Sequence, residues 1–384
     1  MKVVVIGSGI VGANAAYHLA KKNNIEVIMV DKEHEGNATS AGAGIVCPWI
    51  SRVEDNEWYE IAKGGARYYP KLISQLENDE EYDVGYKKVG ALSVSSDSKE
   101  LEAIEQRTKD KQKEAPEMGD IIRINAEEAR KLFPPLNKNL EAIYLSGAAR
   151  VDGRLLRTAL KRAALKHGAK LVNGLAELIH DNGQVIGVMV NGETIRADSI
   201  IVSTGAWAPS LLEPIGIELK VEPQRGQIAH IRLPDVDTSN WPVILPQSSH
   251  YMLAFNDSKV VAGATRETGS GFEYRTTIGG ISEVMSEAMN VAPGISNGEL
   301  QEVRVGFRPM GPDILPLLGP INPFENVIMA NGLGASGLTM GPYVGKLAAS
   351  IAINEETDLD LTPYNPMRAI AVKNRIVTNP IKKR

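Results

Sequence analysis

Apolar and polar positions change rhythm several times within the first thirty residues. Residues 2–6 (KVVVI) form an almost unbroken apolar run, the pattern of a short strand covered on both faces. Residues 10–22 (IVGANAAYHLAKK) predict a helix closed by Asn23-Asn24, and 26–31 (EVIMVD) predict a second buried strand. Strand, tight turn, helix and strand make a βαβ unit, and a crossover of that kind joins parallel strands.

Helices are predicted next over 57–77, 98–114 and 153–167. The run at 98–114 (SKELEAIEQRTKDKQKE) places opposite charges on one helical face, so it reads as a solvated helix and not as a binding arm. Strands follow at 169–173, 175–180, 185–190 and 194–196, with Asn182-Gly183 and Asn191-Gly192 as hairpin turns. Residues 199–204 (SIIVST) are another buried strand, ending at Gly205. From about 221 the texture changes to alternating strands at 226–232, 243–245, 250–255 and 259–264, with a helix at 278–291. That segment predicts an antiparallel sheet and a second domain. Past 305 the chain returns to a strand at 326–331, a glycine-rich turn and a helix at 338–353. The first and last thirds are therefore expected to share one domain, with the other inserted between them. The basic tail 379–384 (NPIKKR) is expected to fray.

Composition narrows function more than fold. A chain of 384 residues exceeds what one core usually covers, in keeping with two domains. With 42 Lys plus Arg against 47 Asp plus Glu the net charge is −5, so a nucleic-acid partner, which needs a basic excess, is not expected. The single cysteine, Cys47, excludes an intrachain disulfide and a cysteine metal site, and fits a reducing compartment. The apolar start stops at Gly7, too short for a signal peptide, and no stretch nears the roughly 20 apolar residues of a membrane helix. A cytoplasmic protein without a metal or a transmembrane segment is expected.

Four clusters carry chemistry. Gly7-Ser8-Gly9-Ile10-Val11-Gly12 follows a strand and opens a helix. In that setting the first glycine permits the turn, the second lets a pyrophosphate approach the backbone, and the third lets helix and strand pack closely. The helix start offers free N–H groups and partial positive charge to the phosphates. Asp31 ends the second strand, where it can accept a ribose hydroxyl bond, which favours an unphosphorylated ribose; NAD and FAD both remain open at this point. Thr39-Ser40-Ala41-Gly42-Ala43-Gly44 is a small-residue loop able to reach phosphate or a ring system. Gly332-Leu333-Gly334-Ala335-Ser336-Gly337 repeats the glycine pattern, but no strand ending in an acid follows it. It is better read as a second helix start aimed at another part of the same cofactor, beside a flavin pyrimidine. Gly306-Phe307-Arg308-Pro309 sets an arginine in an apolar stretch, either as a structural ion pair or as a fork for a substrate carboxylate.

Together these clusters resemble the FAD-dependent D-amino-acid oxidase, glycine oxidase and sarcosine oxidase superfamily. The resemblance spans nearly the whole chain, through VVVIGSGIVGANAAYHLA, TSAGAGIV, ADSIIVSTGAWAPSL, PQRGQIAHI, VGFRPMGPDILPLLG and NGLGASGLTMGP. It implies an α/β fold with a Rossmann-type FAD-binding domain (1–85, 145–220 and 306–384). An α+β antiparallel-sheet substrate domain (86–144 and 221–305) is inserted into it. It also implies that Arg308 binds the substrate carboxylate and that Tyr251, before Val260-Val261-Ala262-Gly263-Ala264-Thr265, reaches the substrate. Thr39, Ser40, Gly42 and Gly44 fall where the family's loop meets pyrophosphate and flavin, and Lys32 and Ile45 are taken with Asp31 and Gly44 as cofactor contacts. Val172 falls where backbone groups hold adenine, Gly205 where the dinucleotide is also contacted, and Gly334, Ser336, Gly337, Leu338 and Thr339 at the flavin pyrimidine edge.

Some relatives attach flavin to a histidine in the segment matching 39–44 and others to a C-terminal cysteine. Neither is present here, so noncovalent FAD is expected. His18, His34, His167 and His180 sit away from these motifs, and His250 beside Tyr251 is the histidine worth testing. The expected reaction is oxidative deamination of a D-amino acid or glycine, with oxygen or an electron carrier as acceptor. Sarcosine, proline or another secondary amino acid, a non-catalytic flavoprotein subunit, and an NAD-dependent dehydrogenase are the alternatives. Homo-oligomerisation is left open.

Overall fold

The computed structural model describes residues 1–181 and 183–372; Asn182 of one predicted turn and the basic tail lie outside them. The fold is α/β with mixed sheets. Six strands form the first sheet in the order Leu317–Ile321, Phe324–Asn331, Ser199–Val202, Lys2–Ile6, Glu26–Asp31, Lys170–Asn173. The last five run parallel, and the first is antiparallel to its neighbour.

The apolar runs are unbroken because this sheet is covered twice. Val3, Val5, Val27, Met29 and Ile201 join a core with the helical residues Tyr17, Leu19, Leu160 and Val344. Their alternates Val4, Ile6, Ile28, Val30, Ile200 and Val202 join a separate core with Leu178, Val185 and Val188. These last three belong to an antiparallel meander of Ala176–Asp181, Gln184–Val190 and Glu193–Arg196. With side chains alternating at period two, a strand sandwiched between two covers has no polar face to spare.

Helices Ile10–Ala20 and Gly337–Ala352 follow the two predicted glycine turns and pack against each other. Glycines set their separation. A Cβ added at Gly345 would lie 2.4 Å from the Val11 carbonyl oxygen, and one at Gly341 would lie 2.7 Å from Ile10 Cγ2. Asn14 Nδ2, fully buried on the first helix, donates to the carbonyl of Pro342 on the second.

The second sheet has nine strands. Glu267–Thr268, Glu222–Arg232, Lys259–Gly263, Tyr251–Ala254, Val243–Pro246, Ala91–Ser95, Glu141–Leu145 and Ile121–Ile124 follow one another, and Glu299–Met310 lies along Glu222–Arg232. Every neighbouring pair is antiparallel except Val243–Pro246 with Ala91–Ser95. Helix Ile278–Val291 covers it through Val284 and Ala288, against Ala229, Ile231 and Ala262.

Glu299–Met310 is the largest element absent from the sequence reading, and it runs across the 305/306 division. Its first four residues are exposed and all but Leu300 are polar, and it contains Gly306 and Pro309, which usually punctuate strands. Its one strand partner is Glu222–Arg232; its other edge carries a single bridge, where the Phe307 amide donates to the Gly36 carbonyl at 2.9 Å, and at such an edge a missing proline N–H breaks no ladder. No helix among the described residues is long and apolar enough to cross a membrane.

The helix contact yields a test. Gly345→Ala drives a methyl group into the Val11 carbonyl. Overpacking of that kind costs about 1–3 kcal/mol, more than the roughly 0.5–1 kcal/mol gained from alanine's helix propensity. The variant should unfold at lower denaturant concentration than the wild type; an equal or higher midpoint would show that the two helices can separate freely.

Candidate active site

The carboxyl ends of the five parallel strands open onto one cavity of about 1160 Å³, larger than the roughly 300–1,000 Å³ of ordinary ligand pockets. Ligands of open α/β sheets bind at this end, where the strand order diverges. Three turns there are tied together by side chains. Ser203 Oγ lies 2.9 Å from the carbonyl oxygens of Ile6 and Gly7. Asn331 Nδ2 donates to the Gly205 carbonyl at 2.8 Å, while its Oδ1 accepts from the Gly332 amide at 2.8 Å.

The glycines of the first turn divide by task. Gly7 has φ +88°, and a Cβ at Gly12 would sit 1.9 Å from the Gly7 carbonyl oxygen, so neither tolerates a side chain. Above Gly9 a Cβ would meet only Thr39 Oγ1, at 3.3 Å, and above Gly337 nothing within 4 Å. Both open into the cavity. Gly9 and Ser336 precede the two helices without giving a side-chain cap, and Ile10 N donates to Thr39 Oγ1 at 3.0 Å. Two helix starts facing one cavity make a cradle for an anionic, elongated ligand, because their unpaired N–H groups and dipoles converge there.

The other end of the cavity is walled by the second sheet. Arg308 is half-buried on Glu299–Met310, opposite Gln224. Its Nη1 donates to Gln224 Oε1 at 3.2 Å and to the Thr265 carbonyl at 2.9 Å, and it is also hydrogen-bonded to the Tyr251 hydroxyl. None of these partners is a carboxylate. The nearby Glu267 is already engaged, by Arg225, by Gln227 Nε2 at 2.7 Å and by Thr265 Oγ1 at 2.8 Å. Burial pulls the Arg308 guanidinium below its ordinary value and the charge of Arg266 acts the same way, opposed by Tyr251 and Glu267. Burial raises the Tyr251 hydroxyl, with Arg308 and Arg266 pulling against it, so it stays a neutral hydrogen-bonding group near pH 7. Gly226 makes room for the fork: a Cβ there would lie 2.7 Å from Arg308 Nη2.

All the sequence-assigned residues line this cavity except Ser8, Gly12, Ser40 and Val172. Ser8 is fully buried and turns inward, where its amide and hydroxyl donate to the Asp31 carboxylate. That carboxylate keeps acceptor capacity, since two oxygens offer about four lone-pair sites. Gly12 is consumed by helix–strand packing. The Ser40 carbonyl accepts from Arg154 Nε at 3.1 Å. Val172 is paired beside Val30, and the wall there is built by the residues just beyond it, 174–177.

Sequence reasoning missed several wall residues. His34, read as remote, lines the cavity and stacks on Trp207 with centroids 4.4 Å apart. Its signal was its position three residues after Asp31. Gly226 and Arg266 were missed although PQRGQIAHI contains one and the other directly follows Thr265. Among the described residues no group of three His, Cys, Asp or Glu side chains is placed to hold a metal.

Comparison with known proteins agrees with this geometry. The family model described as DAO, FAD dependent oxidoreductase, matches residues 2–351. The chain is 47% identical over 369 residues to Uncharacterized oxidoreductase YurR of Bacillus subtilis (strain 168), covering 96% of this chain and 99% of that one. The crystal structure of iminodiacetate oxidase (IdaA) from Chelativorans sp. BNC1 superimposes with a TM-score of 0.92 at 47% identity, over 95% of this chain and 98% of that one. Glycine oxidase of Pseudomonas aeruginosa is 28% identical over 373 residues, 95% of this chain and 98% of the relative.

Gly226→Ala probes the fork without touching the nucleotide end. The methyl group must displace the Arg308 guanidinium. Bound flavin should be retained, while a small carboxylate such as acetate, titrated against the flavin absorbance, should bind about tenfold more weakly, the loss of roughly one charge-assisted hydrogen bond. Unchanged affinity would mean that Arg308 does not face the ligand.

Proposed function

This chain belongs to the DAO family of FAD-dependent oxidoreductases, and on that premise we propose that it oxidises the C–N bond of a small amino acid carrying a secondary amine. The observation that carries the reading is Arg308, a half-buried guanidinium in the cavity whose hydrogen bonds all go to neutral groups. A charge left without its counter-ion is costly in a protein and is best explained by an anion that arrives with the ligand.

The cradle fits FAD. The Gly7–Gly12 turn and its helix start suit the pyrophosphate, Asp31 the ribose, and the turn 334–339 the pyrimidine edge. We read the cofactor as noncovalent. The loop 39–44 holds no histidine, and burial pushes the Cys47 thiol up to about 12, so it has no thiolate to offer. In the same reading 86–144 and 221–305 form the substrate-binding part.

When bound, FAD would supply the two-electron acceptor for oxidation of the substrate's C–N bond. The protein's share is orientation. Arg308 grips the carboxylate in parallel hydrogen bonds, the neutral Tyr251 hydroxyl adds a third contact, and Gly226 leaves the fork its space. The substrate loses the hydride from carbon and a proton from nitrogen, becoming an imine. Water adds across the C=N bond and releases a 2-oxo acid and the amine. The two electrons leave to dioxygen or an electron carrier. The relatives weigh toward a secondary amine, since iminodiacetate oxidase is 47% identical and glycine oxidase 28%. Glycine or a D-amino acid, releasing ammonia, is the second reading.

Arg308→Ala should keep its flavin and lose about 2–4 kcal/mol of transition-state binding, or roughly 30- to 1,000-fold in kcat/KM. Wild-type turnover in that variant would remove the carboxylate clamp. Acid precipitation of the holoprotein should leave yellow FAD in the supernatant; a coloured pellet would contradict noncovalent binding.

A further inference from the structure

We infer that Arg266 forms a second carboxylate subsite, so that the preferred substrate is a secondary amine with a carboxylate on each side of its nitrogen. The inference rests on the oxidase reading above and deepens it.

Arg266 follows Thr265, whose carbonyl accepts from Arg308 Nη1 at 2.9 Å, and both arginines line the one cavity. They are close enough for the Arg266 charge to be felt at Arg308 and at the Tyr251 hydroxyl. Arg266 is exposed and makes no hydrogen bond or ion pair among the described residues, so its guanidinium is left to solvent and is free to turn to a ligand in the cavity. The arginines around it are satisfied. Arg225 is held by Glu267 and Glu273, and Arg304 by Glu302. Of the other two arginines of the cavity wall, Arg157 is paired with Glu33 at 2.6 Å, and Arg52 closes a fork on Gln247 Oε1 at 3.1 and 3.2 Å and reaches Glu100 at 3.8 Å.

The wall is also divided by charge. Its acids, Asp31, Glu33 and Glu177, all stand on the segments that leave the first sheet. The wall contributed by 47–58, 226–266 and 306–309 holds Arg52, Arg266 and Arg308 and no acid. A concave surface of one sign concentrates ligands of the other. A single carboxylate on Arg308 leaves Arg266 unpaired and the two guanidiniums repelling. A dicarboxylate neutralises both and thereby discriminates against substrates with one acid, because a site built for a charged group is left unpaired by a ligand that lacks it. Iminodiacetate is the smallest such amine. Its oxidation balances as iminodiacetate plus water giving glyoxylate and glycine, with two electrons and two protons leaving to the acceptor.

The test uses the holoprotein and two pairs of probes. Diglycolate and methoxyacetate carry an ether oxygen in place of the amine and differ in the second carboxylate; their binding is read from the flavin spectrum. Iminodiacetate and sarcosine differ in the same way and are read by anaerobic flavin bleaching. Wild-type protein should bind diglycolate about 10- to 100-fold more tightly than methoxyacetate, the worth of one charge-assisted contact. It should show a similar preference in kcat/KM for iminodiacetate over sarcosine. Arg266→Gln should abolish both preferences, and Arg266→Lys should restore part of each. Equal binding of the two ethers by the wild type, or a preference that survives Arg266→Gln, overturns the subsite while leaving the oxidase reading standing. Bleaching by neither amine nor by glycine overturns the oxidase reading, and the ether titration still decides whether Arg266 holds a second carboxylate.

Discussion

The backbone contact between helices Ile10–Ala20 and Gly337–Ala352 is the constraint on which the rest depends. Their sequences lie more than three hundred residues apart, yet Gly345 brings one helix against the Val11 carbonyl of the other. Two helix starts can then face a single cavity, each extending a parallel strand of the first sheet. A larger residue at Gly341 or Gly345 would push the helices apart and spread the N–H groups that make the cradle. The buried Asn14 bond to the Pro342 carbonyl adds a directional tie that apolar packing alone cannot provide.

Against that nucleotide end, the second sheet supplies positive charge. The long pairing of Glu222–Arg232 with Glu299–Met310 carries Gly226 and Arg308 to the cavity wall together, and the missing Cβ of one is the space taken by the guanidinium of the other. Glu267 could have neutralised Arg308, but it is spent on Arg225, Gln227 and Thr265. An internal acid paired to Arg308 would have to be displaced by each incoming carboxylate, so keeping acids away stabilises the complex at the expense of the empty site. This arrangement suits a site whose work is to orient a charged substrate beside a flavin, where geometry contributes more than proton transfer.

How much could be read in advance follows from the range of each interaction. The βαβ start was legible because its determinants are local: an apolar run, a glycine turn and a helical period within thirty residues. The fork was legible as an arginine among prolines and glycines, through its resemblance to a known family. Glu299–Met310 was not, because an edge strand that begins with four exposed, mostly polar residues and contains Gly306 and Pro309 lacks the alternation that marks a buried one. Ser8 was assigned to the cofactor by its place in the motif, whereas its side chain is turned inward to hold Asp31.

The sequence by itself therefore determined the glycine turn after the first strand, the family and the arginine of the cavity wall, since each is written in contiguous residues. Only the tertiary structure decided that, among the described residues, Arg308 has no acidic hydrogen-bond partner and Arg266 makes no hydrogen bond or ion pair, and that the acids of the cavity gather at its other end. The reason is physical. Whether a charge is neutralised depends on every group within a few ångströms, and around Arg308 those groups come from other segments of the second sheet, Gln224 lying 84 and Thr265 43 residues away in sequence.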